Sequence, residues 1–193
     1  MRGMNEAARE SWHARLENWF ATHRILATAP VAVLLVALAR PTPSLLIAGG
    51  FLVVLGESLR IWASGHIDKN ARLATAGPYA HTRNPLYVAN LVLLAGFCVM
   101  SGNPWVAALA LAAFAMIYRP VIREEAKHMV RLFGDEYRQW AAEVPLFLPR
   151  LTRAPHRQGG FSWNLVVKHR EHRNAAAFLG GILLFYLVWR LRG

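Results

Sequence analysis

Five apolar stretches alternate with shorter polar or basic segments along the 193-residue chain. A helix needs about 20 apolar residues to cross the hydrocarbon core of a bilayer, and flanking aromatic residues such as Trp19, Phe20 and Trp105 extend the shorter stretches into the interface. The pattern predicts an all-α integral membrane protein with five transmembrane helices in a single domain, residues 1–193. A buried soluble core is the alternative, and the lengths of the stretches disfavour it. The stretches lie at roughly 25–39, 44–63, 85–100, 104–118 and 175–189.

Two of the connections predict tight helical hairpins. Pro41 and Pro43 interrupt the chain between the first two stretches, and the sequence SGNP at 101–104 forms the turn between the third and the fourth. The other two connections are longer and basic. Because cytoplasmic loops carry the excess of Lys and Arg, the N-terminal arm and both long loops are expected in the cytoplasm, and the C-terminus on the other side.

Residues 121–144 predict an amphipathic helix that does not cross the membrane. Its apolar residues recur at spacings of three and four, with charged residues between them. Gly134, followed by Asp135, is expected to end one helix and to start another. Such a helix lies against the cytoplasmic face of the membrane or against the bundle. The apolar set is Ile122, Ala126, Met129, Phe133, Tyr137, Trp140 and Val144.

The composition supports the membrane class and excludes others. The chain is 55% hydrophobic and yet carries a formal net charge of +11, which a membrane protein accommodates by placing basic residues in its loops. The basic residues flank apolar stretches and form no single stripe, which disfavours a nucleic-acid partner. The single cysteine, Cys98, excludes an intrachain disulfide and a cysteine-based zinc cluster.

The same composition bears on location. The charged N-terminal residues, with no cleavage pattern behind the first apolar stretch, predict no cleavable signal peptide. The abundance of arginine and alanine is typical of a GC-rich bacterial genome. The expected location is therefore the bacterial inner membrane, with the N-terminus in the cytoplasm.

A first candidate for binding chemistry is the sequence AGPYAHTRNPLY, between the second and third apolar stretches. Gly77 and Pro78 form a turn, and Pro85 suits the first position of the third helix, where its missing N–H costs nothing. Arg83 and Asn84 then lie at a helix N-terminus, which favours an anion such as a carboxylate. The alternative is an ordinary interfacial turn with an arginine that reaches for the headgroups.

A second candidate is the sequence YRPVIREEAKHM, which begins at Tyr118. Pro120 is predicted to end the fourth span, so that the next helix begins with Arg123, Glu124 and Glu125. Adjacent carboxylates on a helix point about 100° apart, so at most one of the two faces a given pocket. Acidic residues are also common in a first helical turn because they suit the helix dipole.

The hairpin brings these two candidates together. Its third and fourth helices are joined by almost no loop, so their cytoplasmic ends must lie side by side. A basic group from 83–85 and an acidic group from 119–125 then converge at the rim of an apolar bundle. A zwitterionic ligand with an ammonium, a carboxylate and an aromatic base suits such a rim.

The sequence GPY…RNPLY, followed after the hairpin by REEAKHMVRLFGDEYRQWAAEVPLFLP, resembles the isoprenylcysteine carboxyl methyltransferase family and its phospholipid methyltransferase relatives. The resemblance covers about 56–149, which it identifies as the cofactor-binding core, and the C-terminal span at about 175–189 is less diagnostic. It implies an integral membrane enzyme that uses S-adenosylmethionine. Many members have His where this chain has Asn84. The implied cofactor contacts are Tyr79, Asn84, Pro85, Tyr87 and Glu125, and the residues implied nearest the reacting groups are Arg83 and Glu124.

The resemblance implies methyl transfer to a hydrophobic or amphiphilic acceptor at the cytoplasmic face of the membrane. The acceptor is an isoprenylcysteine-type carboxylate, a phospholipid amine or another lipid-like molecule, with membrane lipids as partners. Arg83 would place a carboxylate, whereas Glu124 would orient an amine and accept its proton, and the sequence leaves both open. Two other classes remain: an NADPH-dependent reductase of the sterol-reductase type and a non-catalytic lipid-binding membrane protein.

Two further sets of ionisable residues have structural explanations. Glu57 and Arg60 lie one turn apart in the second span, where ionisable groups are costly and often functional, and we expect a structural ion pair in preference to a substrate role. His169 and His172 have a spacing that could ligate a metal. The remaining histidines are scattered along the chain, so no metal site is predicted.

Overall fold

The computed structural model describes residues 29–68, 72–152, 154 and 159–192. Throughout these residues the regular structure is helical, which confirms the all-α prediction. The elements are α1 (29–37), α2 (Pro43–Ser64), a short 3-10 helix (Gly77–Ala80), α3 (Pro85–Ser101), α4 (Pro104–Glu143), α5 (Trp163–Lys168) and α6 (Glu171–Arg192).

Three of the described helices, α2, α4 and α6, are long and apolar enough to cross a membrane. Helix α3 is apolar and shorter, with 17 residues. These helices support an integral membrane protein. The first predicted span, 25–39, lies partly outside the described residues, so the number of five transmembrane helices stays a prediction.

The predicted breaks between helices are found where proline and capping residues occur. Helices α2, α3 and α4 each begin with a proline, a position at which the missing N–H would have had no helical partner. Thr42 Oγ1 accepts a hydrogen bond from the Leu45 amide, and Asn103 Oδ1 accepts from the Trp105 and Val106 amides. These caps satisfy N–H groups that the helix itself leaves unpaired.

Helices α2 and α3 are antiparallel and pack backbone to backbone. A Cβ atom at Gly49, early in α2, would lie 2.5 Å from the carbonyl oxygen of Gly96, late in α3. A Cβ atom at Gly56, about two turns further along α2, would lie 2.9 Å from the amide nitrogen of Leu93. Small residues at such crossings allow the close approach on which helix association in a bilayer depends.

The turns at 38–43 and 101–104 lie together at one end of the bundle. The Arg40 amide donates to the Ser101 carbonyl (2.7 Å), and Asn103 Nδ2 donates to the Leu38 carbonyl (3.1 Å). The guanidinium of Arg192, near the end of α6, donates to two more carbonyls of the first turn. The remaining ends of α2, α3 and α6 therefore lie at the opposite end of the bundle.

Helix α4 corrects a predicted boundary. The prediction that the fourth span ends at Pro120, and that a separate helix begins after it, is wrong, because α4 continues through Pro120 to Glu143 over 40 residues. Packing by a neighbouring helix stabilises α4 on both sides of the proline: Tyr87 of α3 packs against Tyr118, with ring centroids 5.3 Å apart, and belongs to the same buried cluster as Val121. Neighbouring elements make proline tolerable within membrane helices in this way.

The break in α4 comes instead at Gly134, as predicted. Its φ of 54° and ψ of −125° belong to a region that glycine adopts without a steric penalty. Beyond it, Tyr137 and Trp140 are buried, in agreement with the predicted apolar face. Glu124 and Glu125 lie in the middle of a helix, so a first helical turn does not explain them.

Candidate active site

The loop that precedes α3 forms one wall of the candidate site. Hydrogen bonds hold residues 80–84 of this loop against the residues that follow α4. The Arg83 amide donates to the Pro145 carbonyl (2.9 Å), and Asn84 Nδ2 donates to the Leu146 carbonyl (2.9 Å). Thr82 Oγ1 donates to the Phe147 carbonyl (2.8 Å). The pairing continues through backbone bonds from Arg150 to His81 and from Ala154 to Ala80.

A cavity of about 530 Å³ lies against this wall. Its volume falls within the range of about 300–1,000 Å³ that is usual for sites that hold a small molecule or a cofactor. The lining comes from the end of α2, from the loop, from the first turns of α3, from α4 and from the start of α6. Its polar and aromatic members include Arg60, Arg72, Tyr79, Arg83, Asn84, Tyr87, Asn90, Tyr118, Glu125, His128, Tyr137, Trp140 and Asn174.

Six of the seven site residues predicted from the sequence line this cavity, and Glu124 is not among the lining residues. The Glu124 carboxylate accepts a hydrogen bond from Lys127 Nζ (2.6 Å) on an exposed part of α4. The roles assigned to these residues remain predictions. The six lining residues are Tyr79, Arg83, Asn84, Pro85, Tyr87 and Glu125.

A hydrogen bond joins the two sequence motifs across the cavity. The hydroxyl of Tyr87, on α3, donates to Oε1 of Glu125, on α4 (2.7 Å). The Tyr87 ring also packs against Tyr118, with centroids 5.3 Å apart. The expected convergence of the two ends of the hairpin is therefore confirmed by a direct contact.

Three buried polar atoms in the cavity wall have no hydrogen-bond partner within the described part of the chain: the Tyr79 hydroxyl, Arg83 Nε and Trp140 Nε1. Buried polar groups in native proteins are nearly always paired. All three can donate a hydrogen bond. The wall is therefore complementary to a ligand that carries acceptor atoms.

Burial also affects the phenol of Tyr79. The residue is 5% exposed, and this burial, with a smaller contribution from the Glu125 carboxylate, raises the pKa of Tyr79 above its ordinary value. The phenol is thus held in its neutral form, in which it donates a hydrogen bond.

The inner end of the cavity contains a polar cluster that connects α2, α3 and α6. Arg60 donates to both carboxylate oxygens of Glu171 (3.1 Å each) and to Oδ1 of Asn90. Asn174 Nδ2 donates to the same Glu171 carboxylate (3.0 Å). The expected ion pair is present as well, with Arg60 Nε 3.7 Å from Glu57 Oε2.

Sequence reasoning missed Asn90, Glu171 and Asn174. Asn90 is a lone amide in the third apolar stretch, and a polar residue in a span is a signal for a functional position. Glu171 lies 111 residues from Arg60 along the chain, so the helical spacing that indicated the pair of Glu57 and Arg60 could not reveal it.

Of the two histidines near the start of α6, His169 makes a structural contact and His172 is exposed. His169 Nδ1 lies 3.2 Å from the Ser64 carbonyl at the end of α2. Within the residues that the structure covers, no group of three or more His, Cys, Asp or Glu side chains is arranged to hold a metal ion.

Comparisons with known proteins identify the family. The phospholipid methyltransferase family profile matches residues 44–136. A cobalt-zinc-cadmium resistance protein of Cupriavidus metallidurans is 34% identical over 86% of this chain and 81% of its own length. A nickel-cobalt-cadmium resistance protein of Alcaligenes xylosoxydans xylosoxydans is 34% identical over 71% of this chain and 70% of its own. The chain therefore belongs to the phospholipid methyltransferase family and is a membrane methyltransferase.

More distant relatives agree with this assignment. Human protein-S-isoprenylcysteine O-methyltransferase is 31% identical over 53% of this chain and 40% of that enzyme. The family profile covers α2, α3 and the part of α4 up to Glu136, and α6 lies beyond it. No solved structure matches the chain.

Proposed function

We propose that this protein transfers the methyl group of S-adenosylmethionine to a hydrophobic or amphiphilic acceptor at the cytoplasmic face of the membrane. The observation that carries the proposal is the cavity between the loop before α3 and helix α4, whose walls are joined by the bond from Tyr87 to Glu125. The cavity belongs to a membrane methyltransferase, and six of the seven residues predicted from the sequence line it.

The cavity wall fits S-adenosylmethionine in its donor and acceptor groups. The unpartnered donors of Tyr79 and Trp140 suit a carboxylate and the nitrogen atoms of a purine, while the Glu125 carboxylate attracts an ammonium. Aromatic rings at Tyr118, Tyr137 and Trp140 offer faces on which a base can stack. We propose that Tyr79, Asn84, Pro85, Tyr87 and Glu125 hold this cofactor.

When bound, S-adenosylmethionine supplies an electrophilic methyl group on a sulfonium centre. The chain itself contributes placement of the acceptor and exclusion of water. Arg83 positions an anionic acceptor, and Glu124 orients an amine and accepts its proton. The second role requires the Glu124 side chain to leave Lys127, and an exposed pair of this kind opposes that movement by only about 0–1 kcal/mol.

Binding of S-adenosylhomocysteine to the detergent-purified protein, measured by calorimetry, tests this proposal. We expect micromolar affinity in the wild type and at least a tenfold loss in Glu125→Ala. Glu136→Ala is the matched control, because Glu136 is an exposed carboxylate on the same helix outside the cavity lining and its loss should leave binding unchanged. A folded wild-type protein that does not bind the ligand at millimolar concentration would overturn the proposal.

Family membership does not favour the other two classes considered from the sequence. The same calorimeter separates them, because a sterol-reductase-like enzyme binds NADPH tightly and a non-catalytic lipid-binding protein binds neither ligand. Binding of NADPH with no binding of S-adenosylhomocysteine would support the reductase.

A second proposal concerns the physiological role. Two relatives are named for resistance to divalent cations, and we propose that methyl transfer by this protein supports tolerance to cobalt, zinc or cadmium. Expression of the wild type in a sensitive bacterial host should raise the tolerated concentration of these salts, and Glu125→Ala should not. If Glu125→Ala raised the tolerated concentration as much as the wild type does, resistance would not depend on methyl transfer and this second proposal would be wrong.

A further inference from the structure

The polar cluster at the inner end of the cavity connects α2, α3 and α6 and also contributes side chains to the cavity lining. It comprises Arg60, Glu171, Asn90 and Asn174, and the last three were not indicated by the sequence motifs. Arg60 and both asparagines line the cavity, while the side chain of Glu171 is 5% exposed and lies behind them. A buried charged pair next to a cavity is costly to desolvate, so its presence in an otherwise apolar bundle calls for a reason.

Hydrogen bonding fixes the orientation of both amides. Arg60 can only donate, so the Asn90 atom that it contacts must be Oδ1. Glu171 as a carboxylate can only accept, so the Asn174 atom bound to it must be Nδ2. The remaining amide atoms, Nδ2 of Asn90 and Oδ1 of Asn174, have no hydrogen-bond partner elsewhere in the described residues. One hydrogen-bond donor, Asn90 Nδ2, and one acceptor, Asn174 Oδ1, are therefore available to a ligand in the cavity.

Asn90 lies one helical turn further into the bundle than Tyr87, which belongs to the residues proposed to hold the cofactor. This step of three residues is about 4.5 Å along the axis of α3 toward the interior of the bundle. Asn174 belongs to α6, which carries exposed apolar side chains such as Leu179 and Leu183 on its outer surface. An acceptor whose tail lies among lipid chains would reach the inner end first.

We propose that Asn174 of α6 is a specificity-determining residue that binds the polar head of the methyl acceptor together with Asn90, and that Arg60 and Glu171 are positioning residues that hold the two amides. The proposal rests on the proposed methyl transfer and adds the acceptor subsite to it. Helix α6 lies outside the part of the chain matched by the family profile, so the profile assigns none of these roles to it. The head group that fits is one that both donates and accepts a hydrogen bond.

The test uses two acceptor probes and labelled S-adenosylmethionine, with the full chain in nanodiscs. The probes are N-acetyl-S-farnesylcysteine, whose amide N–H donates and whose carboxylate accepts, and phosphatidylethanolamine, whose ammonium donates and whose phosphate accepts. For the probe that the wild type methylates faster, Asn174→Ala should raise KM at least tenfold while kcat changes less than threefold. The Kd of S-adenosylhomocysteine, measured without acceptor, should stay within twofold of the wild type.

The control is His172→Ala, which removes an exposed side chain from the same turn of α6 and should change neither KM nor Kd. Glu171→Ala should raise KM as Asn174→Ala does. Glu171→Gln keeps an oxygen that accepts from Asn174 and should restore KM to within threefold of the wild type. A merely structural tie between α2 and α6 would instead lower the melting temperature of Glu171→Ala without a selective change in KM.

The outcomes also separate this inference from the proposed function. An unchanged KM in Asn174→Ala, with normal turnover by the wild type, would overturn the acceptor subsite alone. A parallel loss of S-adenosylhomocysteine affinity in Asn174→Ala would reassign the residue to cofactor binding. Absence of S-adenosylhomocysteine binding by the wild type would refute the methyltransferase proposal itself.

Discussion

At the scale of single residues, the buried hydroxyl of Tyr79 lowers the stability of the unliganded protein and is available to donate a hydrogen bond to a ligand. It is buried without a partner among the described residues, and an unpaired buried polar group costs about 1–3 kcal/mol. Tyr79→Phe keeps the ring and removes that cost. We expect the variant to be more stable than the wild type by about 1 kcal/mol and to bind S-adenosylhomocysteine about tenfold more weakly, since one net hydrogen bond is lost. Thermal unfolding and calorimetry in detergent measure both, and lower stability with unchanged affinity would contradict the prediction.

The pH dependence of stability gives an independent check on Tyr79. Burial raises the pKa of its phenol above the ordinary value of 10.0. The unfolded chain therefore loses this proton at a lower pH than the folded protein does, so that a rising pH above 10 favours unfolding. We expect the melting temperature of the wild type to fall more steeply above that pH than the melting temperature of Tyr79→Phe. Parallel slopes would show that the phenol titrates alike in both states.

Glu124 and Glu125 form a natural pair for comparison, because they are adjacent and chemically identical. Glu125 contacts Tyr87 in the cavity, whereas Glu124 contacts Lys127 on an exposed part of α4. We expect Glu125→Gln to weaken S-adenosylhomocysteine binding about tenfold, because a charge-assisted hydrogen bond is lost. Glu124→Gln should leave that affinity unchanged and slow methyl transfer at least tenfold. Full turnover by Glu124→Gln would refute the catalytic role that the family resemblance implies.

At the scale of helices, the contact between α2 and α3 depends on a single glycine face. A Cβ atom at Gly49 would meet the backbone of α3, whereas one at the next residue, Gly50, would meet no atom within 4 Å. We expect Gly49→Ala to destabilise the protein by about 1–3 kcal/mol through overpacking, and Gly50→Ala to be neutral or stabilising by up to about 1 kcal/mol. Melting temperatures in detergent compare the two, and equal effects would contradict the proposed crossing.

The break at Gly134 places the aromatic end of α4 over the cavity. Phe133, Tyr137 and Trp140 line the cavity on the two sides of this residue, and the φ of 54° is strained for any residue with a Cβ atom. We expect Gly134→Ala to cost about 1–3 kcal/mol and to weaken S-adenosylhomocysteine binding as the aromatic side chains shift. Gly180→Ala is the control, since it adds a methyl group to a helical glycine with nothing within 4 Å. Full affinity in Gly134→Ala would show that the break does not shape the site.

The sequence was sufficient for element boundaries that depend on local chemistry. Pro85 at the start of α3, the turn at 101–104 and the break at Gly134 each follow from the conformational preferences of the residues at that position. Pro120 misled because its effect depends on packing from outside its own segment: Tyr87 of α3 packs against Tyr118, with ring centroids 5.3 Å apart, and belongs to the same buried cluster as Val121. No local pattern contains that information.

In the candidate site, too, the features that depend on local sequence were predicted and those that depend on distant contacts were missed. The motifs around Arg83 and Glu125 were brought together correctly because a short hairpin leaves their helices no other arrangement. Glu171 was missed since its partner Arg60 lies 111 residues away and only the docking of α6 brings them together. Asn84 was predicted to contact the cofactor, and the structure adds that its side-chain amide ties the loop to the Leu146 carbonyl, a contact that no spacing in the sequence indicates.

At the scale of the whole molecule, the positions of the helix ends determine which segments share a side of the membrane. Ser44, at the start of α2, and Leu191, near the end of α6, belong to the end of the bundle where Arg192 contacts the turn after α1. Arg138, on the last part of α4, belongs to the region that carries the cavity. From the excess of basic residues in the loops around the cavity, we predict that this region lies in the cytoplasm.

Labelling of single cysteines tests this orientation. Cys98 is buried and can be replaced by Ser, after which Ser44→Cys, Leu191→Cys and Arg138→Cys each supply one exposed thiol. A membrane-impermeant maleimide added to intact spheroplasts should label the first two, because both lie at the end of the bundle that is predicted to face away from the cytoplasm, and should label Arg138→Cys only after permeabilisation. The reverse pattern would place the cavity outside the cytoplasm, where S-adenosylmethionine is not made. Labelling of Ser44→Cys and Leu191→Cys from opposite sides would contradict the shared end that the contacts of Arg192 define.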